Sequence, residues 1–138
     1  MYTIELTESE YLYINTSQLP KAGNGLFTAI LLEKNDIISY FEGEILSNKE
    51  ADKRITEKKD QYFISLLNGK IMDSMQTDCF AKYANDADGF SKTNFSNNSK
   101  ITLDEENKVC LIATRTIEAN EEVFCSYGKK YWKNKNSN

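Results

Sequence analysis

The stretch of sequence that decides the fold lies near the C-terminus, where residues 121–128 read E-E-V-F-C-S-Y-G. Its β-branched and aromatic residues predict a last strand from Val123 to Tyr127. Tyr127 ends this strand, and its hydroxyl is the first candidate for a functional group.

The composition is that of an ordinary globular protein, and it limits the classes of function. The 138 residues suit one domain spanning 1–138, with a disordered tail expected at 133–138. No apolar run approaches the roughly 18 residues of a membrane span, and the N-terminus has no signal-peptide core. We therefore expect an intracellular protein without membrane attachment. The net charge of −4 and the pI of about 5.0 argue against direct binding to nucleic acid and favour a basic partner.

The cysteine and histidine content limits the chemistry that the chain can perform. It has three cysteines (Cys79, Cys110 and Cys125) and no histidine. A structural zinc site needs about four nitrogen or sulfur ligands, so we predict no metal and reduced, packed thiols. Without histidine, the usual Ser-His and Cys-His nucleophiles are excluded. Any catalysis would use tyrosine, carboxylates, lysine, backbone groups or a bound cofactor.

Turn signals at short intervals predict a mostly β (α+β) domain of short strands in small sheets, with one clear helix. The capping box Ser47-Asn48-Lys49-Glu50 predicts that helix at about 48–58. Runs rich in Ile, Leu, Val, Phe and Tyr predict strands within 2–14, 26–32, 36–46, 62–67, 101–103 and 109–113. Asn68-Gly69 predicts a hairpin turn. Residues 86–98 are polar and predict a loop.

Several short motifs follow one another in an order that is more informative than any one of them. They are A-G-N-G-L-F at 22–27, F-E-G-E at 41–44, K-Y-A-N-D at 82–86, N-N at 97–98, A-T-R-T-I at 113–117 and the stretch at 121–128. The series resembles the SET domain family of protein lysine methyltransferases, over about Leu19 to Trp132. The resemblance implies the SET-type β-clip fold, in which the C-terminal segment is threaded through a loop as a pseudoknot.

The resemblance also implies S-adenosylmethionine as methyl donor, in a site built from two segments. The first is the turn Ala22-Gly23-Asn24-Gly25-Leu26, whose glycines let backbone groups approach the methionine part of the donor closely. The second holds Asn85, whose amide both donates and accepts hydrogen bonds and so suits an amino-acid zwitterion. The rest of the implied cofactor-binding set is Lys82, Tyr83, Asp86, Tyr127 and Trp132.

Tyr127 matches the tyrosine that the family places beside the reacting amine, and it is the implied catalytic residue. The substrate lysine and the donor enter from opposite faces and meet in a narrow channel. Because the pKa of free lysine is about 10.4, a channel that excludes water would favour the neutral, nucleophilic amine. The implied channel residues are Phe41, Tyr62, Cys125, Tyr127 and Tyr131. For Tyr62, Tyr131 and Trp132, ordinary core packing is an equal alternative.

Some positions depart from the family pattern. Asp86 replaces a histidine whose backbone contacts the cofactor, so a backbone contact would survive the change and a side-chain role would not. Phe41 replaces a channel tyrosine. Cys125 is smaller than the usual phenylalanine or tyrosine, which predicts that more than one methyl group can be added. Either Asn97 or Asn98 can take the place of the asparagine that helps to close the knot.

Two classes of function stay open on the sequence alone. The first is a lysine N-methyltransferase that acts, as a monomer or homodimer, on a basic protein tail such as that of a histone. A histone substrate would place it in the nucleus. The second is a SET-like binding or scaffold module without catalysis, which Asp86, Phe41 and the absence of the family's flanking zinc-binding cysteines favour. Asn85 and Tyr127 favour the enzyme.

Overall fold

The computed structural model describes residues 1–66, 69–89 and 93–126. These residues form short strands with two α-helices and two single 3-10 turns. They group into two compact units, the first comprising residues 1–41 and 80–126 and the second residues 42–79. The predicted mostly β architecture of small sheets is confirmed. The predicted tail at 133–138 lies outside the described residues.

The elements are short throughout. Helices α1 and α2 span Glu8–Tyr11 and Asn48–Thr56, and the 3-10 turns cover Ala81–Tyr83 and Ala87–Gly89. Strands β1 to β10 span, in chain order, Leu12–Thr16, Asn24–Thr28, Ile37–Tyr40, Glu44–Leu46, Phe63–Ser65, Ile71–Asp73, Ser99–Leu103, Val109–Ala113, Glu122–Val123 and Cys125–Ser126. Over the ranges that the structure covers, neither helix has the length and hydropathy that a membrane crossing requires.

The first unit contains two sheets, with strand orders β1-β2-β9 and β10-β7-β8-β3. Every residue of β8 (V-C-L-I-A) is buried, as expected for an inner strand of apolar composition. β2 pairs antiparallel with β9, and β7 pairs parallel with β10. Because β9 and β10 are consecutive, the short stretch 122–126 connects the two sheets.

Helix α1 covers the outer edge of β3 in this unit. The carboxylate of Glu8 accepts hydrogen bonds from the Ser39 hydroxyl and from the Tyr40 N–H at 3.2 Å. The Tyr11 hydroxyl donates to the Ile38 carbonyl at 2.6 Å. These side chains bind groups on the side of β3 that has no neighbouring strand in its sheet, where a strand edge would otherwise be open to pairing with another chain.

The prediction of a strand or hairpin over residues 2–14 was wrong in part. α1 interrupts the segment, and only Leu12–Thr16 forms a strand, paired with β2. The Glu10 carboxylate accepts the N–H of Thr7 at 3.1 Å, which satisfies a backbone donor at the start of the helix. This local capping outweighs the loose alternation of apolar residues that suggested a strand.

The second unit packs α2 on the sheet β4-β6-β5. The predicted helix is confirmed: the Ser47 hydroxyl accepts the Glu50 N–H at 3.1 Å and caps its N-terminus. The apolar face of α2 packs on the sheet through a cluster of Leu46, Ala51, Ile55, Phe63 and Ile71. β5 and β6 pair as the predicted hairpin, although Asn68 of its turn lies outside the described residues.

Arg54 links α2 to that sheet by salt bridges, and its guanidinium contacts three carboxylates in all. Its guanidinium is 2.7 Å from Asp73, 3.0 Å from Glu50 and 3.2 Å from Glu44. Asp73 is only 2% exposed, and a buried carboxylate needs such a partner. Hydrogen bonds to Asp73, and then to Glu44 and Glu50, raise the pKa of Arg54 above its ordinary value, so this cation is permanent.

Candidate functional site

The turn that leads into β2 contains two glycines with different structural roles. Gly23 has a φ of +73°, which L side chains rarely adopt, and a Cβ at this position would meet nothing within 4 Å. A Cβ at Gly25 would lie 2.3 Å from the carboxylate oxygen Oε2 of Glu122. Gly23 therefore leaves open space beside the turn, whereas Gly25 permits close packing beneath it.

Asn85 lies where this turn meets the strand stretch 122–126. Its side-chain Nδ2 donates to the carbonyl of Asn24 at 3.0 Å. Its own carbonyl accepts the N–H of Cys125 at 2.9 Å, next to a parallel bridge with Phe124. The sequence motifs around residues 24, 85 and 125 are thus brought together at one residue.

The neighbouring asparagines Asn97 and Asn98 hold different segments. Asn98 is 1% exposed, and its amide donates to the Glu122 carbonyl and accepts from the Phe124 N–H, both at 2.9 Å. The Asn97 amide instead accepts from the Ala87 N–H at 2.8 Å. The sequence did not decide which asparagine binds the C-terminal stretch, and the structure shows that Asn98 does.

Asp86 is bound within the loop that follows Asn85. The side chain is 3% exposed, and its Oδ1 accepts from Asn97 Nδ2 at 2.9 Å and from the Asp88 N–H at 3.0 Å. The Asp86 carboxylate therefore takes part in a local network. Its predicted contact with a cofactor stays a prediction.

Lys82 and Tyr83 lie in the 3-10 turn immediately before Asn85. The Lys82 ammonium is 5.3 Å from the centroid of the Tyr83 ring, a distance typical of a cation–π contact. The flanking residues Ala81 and Ala84 are buried. The turn therefore packs through its alanines and leaves Lys82 and Tyr83 partly exposed.

Cys125 and Phe41 are both buried in the first unit. Burial, with a smaller contribution from Asp86, raises the pKa of the Cys125 thiol well above its ordinary value. Burial likewise raises the pKa of Cys110 to about 11. Since the thiolate is the nucleophilic form, a raised pKa favours the unreactive thiol at these two cysteines. All three cysteines are free and buried, as predicted.

A family model describes the same set of segments. The model of the SET domain matches residues 23–128. The chain belongs to the SET domain family. This match confirms the resemblance seen in the ordered motifs.

Individual relatives of this SET domain agree with that assignment. The histone-lysine N-methyltransferases EZ2 and EZ3 of Zea mays are each 33% identical to it over 110 residues. The histone-lysine N-methyltransferase EZA1 of Arabidopsis thaliana is 30% identical over 112 residues. These alignments cover 77% of this chain and 12% of each relative, so the chain spans about an eighth of the length of the curated proteins that it matches.

A solved structure shows the same fold. It is a humanized mutant of the Chaetomium thermophilum Polycomb Repressive Complex 2, with a TM-score of 0.68 and 25% identity. The match covers 85% of this chain and 15% of the other. The predicted SET-type fold is confirmed, whereas the threading of the segment after Ser126 falls outside the described residues.

The remaining predicted site residues belong to the second unit or are outside the residues that the structure describes. Tyr62 belongs to the second unit, where its carbonyl accepts the Ser74 N–H at 3.2 Å. Tyr127, Tyr131 and Trp132 lie outside the described residues. Their roles stay predictions.

Sequence reasoning missed two residues that support the glycine turn, Glu122 and Ser17. The Glu122 carboxylate accepts from the Ser17 hydroxyl at 2.6 Å, and both side chains are buried. A signal was present: consecutive residues of a strand point to opposite faces. This alternation alone would place one member of the Glu121-Glu122 pair on the interior face.

Proposed function

We propose that this SET domain transfers methyl groups from S-adenosylmethionine to lysine side chains of a protein substrate. The observation that carries the proposal is the junction at Asn85, which binds the glycine turn through its side chain and the 122–126 stretch through its backbone. These are the segments that correspond to the family's donor turn, donor asparagine and catalytic strand. Tyr127 directly follows that stretch.

The residues at the junction fit the methionine end of the donor. The open space at Gly23 leaves room for a ligand against the backbone of the turn. The bond from Asn85 Nδ2 to Asn24 directs the side-chain oxygen of Asn85 away from that carbonyl. This oxygen is an acceptor suited to an ammonium group. We infer that Lys82, Tyr83 and the backbone at Asp86 complete the site, with Trp132 beside the adenine.

The chemistry follows from positioning and from the exclusion of water. When bound, S-adenosylmethionine supplies an electrophilic methyl group on a sulfonium. Of the predicted channel residues, Phe41 in the first unit would supply an aromatic wall for the substrate lysine, where loss of water favours the neutral amine. The Tyr127 hydroxyl would orient that amine for in-line attack. Such preorganised positioning supplies most of the acceleration in this kind of reaction.

We propose that the product can carry more than one methyl group. Cys125 is fully buried within the 122–126 stretch, and its side chain is smaller than an aromatic residue. If it faces the channel, additional volume is available for a methylated amine. Strict monomethylation by the wild-type protein would contradict this part of the proposal.

The proposed substrate is a basic protein tail, with a histone as the first candidate. The net charge of −4 favours a Lys- and Arg-rich partner, and the related proteins named above are histone-lysine N-methyltransferases. A histone substrate implies nuclear action. We expect the domain to work as a monomer or as a homodimer.

The test is transfer of label from S-adenosylmethionine to a histone panel and to whole lysate. We expect labelled lysine with the wild-type protein and a loss of at least about 100-fold for Tyr127→Phe, which removes one hydroxyl of the reacting centre. Tyr13→Phe is the matched control, because the Tyr13 hydroxyl bonds Asn120 at the surface. Full activity of Tyr127→Phe would refute the catalytic assignment. Donor binding without transfer to any substrate would favour the scaffold module instead.

A further inference from the structure

Glu122 is a buried carboxylate that binds the segment before the glycine turn. It is 1% exposed. Its Oε2 accepts the Ser17 hydroxyl at 2.6 Å, and its Oε1 accepts the Gln18 N–H at 2.8 Å. A buried charge is costly unless such hydrogen bonds compensate it, so these contacts fix both partners in one arrangement.

Ser17 connects the Glu122 carboxylate to the turn. Its hydroxyl also accepts the Leu19 N–H at 3.1 Å, and its own N–H donates to the Gly23 carbonyl at 2.8 Å. The Glu122 carboxylate itself occupies the space that a side chain at Gly25 would need. Glu122 therefore affects the turn in two ways. It binds Ser17, which bonds Gly23, and its carboxylate packs directly against Gly25.

The backbone of Glu122 belongs to β9, the strand that pairs with β2. It pairs with Phe27 of β2, and its carbonyl accepts the amide of Asn98. One residue thus fixes both the turn and the start of the 122–126 stretch. Any shift of the strand at Glu122 would be transmitted to Gly23 and Gly25.

We propose that Glu122 is a positioning residue that sets the conformation of the turn 22–26, and thereby the affinity for the methyl donor. This inference rests on the proposed function, since it takes the turn to be the donor site. Glu122 acts through Ser17 and through packing at Gly25. It fixes the backbone that the donor would contact and is not itself a catalytic residue.

The structure offers a matched control in the pair Ser39–Glu8. That carboxylate also binds a serine hydroxyl and the N–H of the next residue, but it does so at the outer edge of β3. We therefore compare Glu122→Gln and Ser17→Ala with Glu8→Gln and Ser39→Ala. Each variant changes one polar group and removes no apolar packing.

The primary measurement is the Kd for S-adenosylmethionine by calorimetry, well below the unfolding temperature. We expect Glu122→Gln and Ser17→Ala to weaken binding by about tenfold, because each leaves a buried group without its partner. The Glu122→Gln/Ser17→Ala double variant should lose less than the product of the two single effects, since both act through one contact. Glu8→Gln and Ser39→Ala should stay within about twofold of the wild type. With saturating donor, kcat should be preserved while the KM for the donor rises.

The outcomes separate this inference from the proposed function. Unchanged donor affinity in Glu122→Gln and Ser17→Ala, with a wild type that binds, overturns the inference and leaves the proposed function standing. A lowered unfolding temperature without a change in Kd does the same, because it shows a purely structural role. A wild type that does not bind the donor overturns both. If Glu122→Gln does not fold, Ser17→Ala decides the matter.

A second measurement does not depend on the donor. Hydrogen exchange in the free protein should be faster at the amides of Gln18 and Leu19 in Ser17→Ala than in the wild type, whereas Ser39→Ala should leave these amides protected. Equal exchange in the wild type and Ser17→Ala would show that the contact does not hold the segment, and would overturn the inference.

Discussion

Two serine–glutamate pairs in the first unit are built alike and hold different parts of the chain. In each, a carboxylate binds a serine hydroxyl and the N–H of the following residue: Glu122 with Ser17 and Gln18, and Glu8 with Ser39 and Tyr40. The first pair supports the glycine turn, and the second covers the outer edge of β3. The two pairs make the same kinds of hydrogen bond and differ in the backbone segment that they hold.

This difference shows how one interaction can serve either stability or function. At the edge of β3, the carboxylate accepts from the Ser39 hydroxyl and from a backbone N–H that would otherwise be open to pairing with another strand. Beneath the turn, it fixes residues that we propose to contact the donor. Substitutions on the turn side should therefore change donor binding, while those on the edge side should change stability alone.

The largest expected effect comes from Asn98→Ala on the turn side. The change leaves the Glu122 carbonyl and the Phe124 N–H without partners in a buried region, at a cost of about 4 kcal/mol of unfolding free energy. Asn97→Ala should cost about half as much, because its side chain is partly exposed. Denaturant unfolding of the two variants measures the difference. Equal losses would mean that Asn98 does not hold the 122–126 stretch.

A smaller effect is expected from Gly25→Ala. The added methyl group would collide with the Glu122 carboxylate, and overpacking of this kind costs about 2 kcal/mol. Donor affinity should fall as well, because the carboxylate must move away from Ser17. Gly23→Ala is the control for stability alone: a Cβ at this position meets no protein atom within 4 Å, but the residue has an unfavourable φ, which costs about 1 kcal/mol. If Gly25→Ala bound the donor as well as the wild type, the turn would not depend on Glu122.

The smallest effect concerns pH and belongs to the edge side. Burial, together with a hydrogen bond to Asp104, raises the pKa of Tyr40 from 10.0 to about 12. Hydrogen bonds from the Lys108 N–H and other donors hold the pKa of Asp104 below its ordinary value. Because the fold favours the neutral tyrosine, its contribution to stability is complete below pH 10 and is lost as the pH rises towards 12.

Tyr40→Phe isolates this contribution. The variant should be less stable than the wild type at pH 8, and it should lose less stability between pH 10 and 12 because it has no hydroxyl to ionise at this position. Denaturant unfolding across this pH range measures both effects, and donor affinity at pH 8 should not change. If the free energy of unfolding fell equally in both proteins between pH 10 and 12, the Tyr40 hydroxyl would not be the cause of the loss.

Local chemistry explains which elements the sequence predicts. Ser47 and Glu50 are three residues apart, so the helix that they begin can be recognised without the rest of the fold. The same kind of signal is present at Thr7 and Glu10, but the alternating apolar residues around it favour a strand. All residues of the strand 109–113 are buried. The apolar run in the sequence therefore begins and ends where the strand does, and the predicted bounds are correct.

Contacts between distant segments explain what the sequence does not predict. Ser17 and Glu122 are separated by 105 residues, and no local pattern indicates that they meet. Asn97 and Asn98 are identical neighbours whose partners depend on how the 122–126 stretch is inserted. The turn and Asn85 could be proposed as one site from the family's motifs, but the bond between Asn85 and Asn24 is visible only in the fold.

The most direct test of the donor site is a calorimetric titration of wild type and Asn85→Ala with S-adenosylmethionine. Asn85 is the residue at which the turn and the 122–126 stretch meet, so its amide should be essential for tight binding. We predict one equivalent of donor bound by the wild type, at least about tenfold weaker binding by Asn85→Ala, and unchanged binding by Ser39→Ala. Absence of wild-type binding at millimolar donor, or equal affinity of Asn85→Ala, would contradict the assignment of the turn and Asn85 as the donor site.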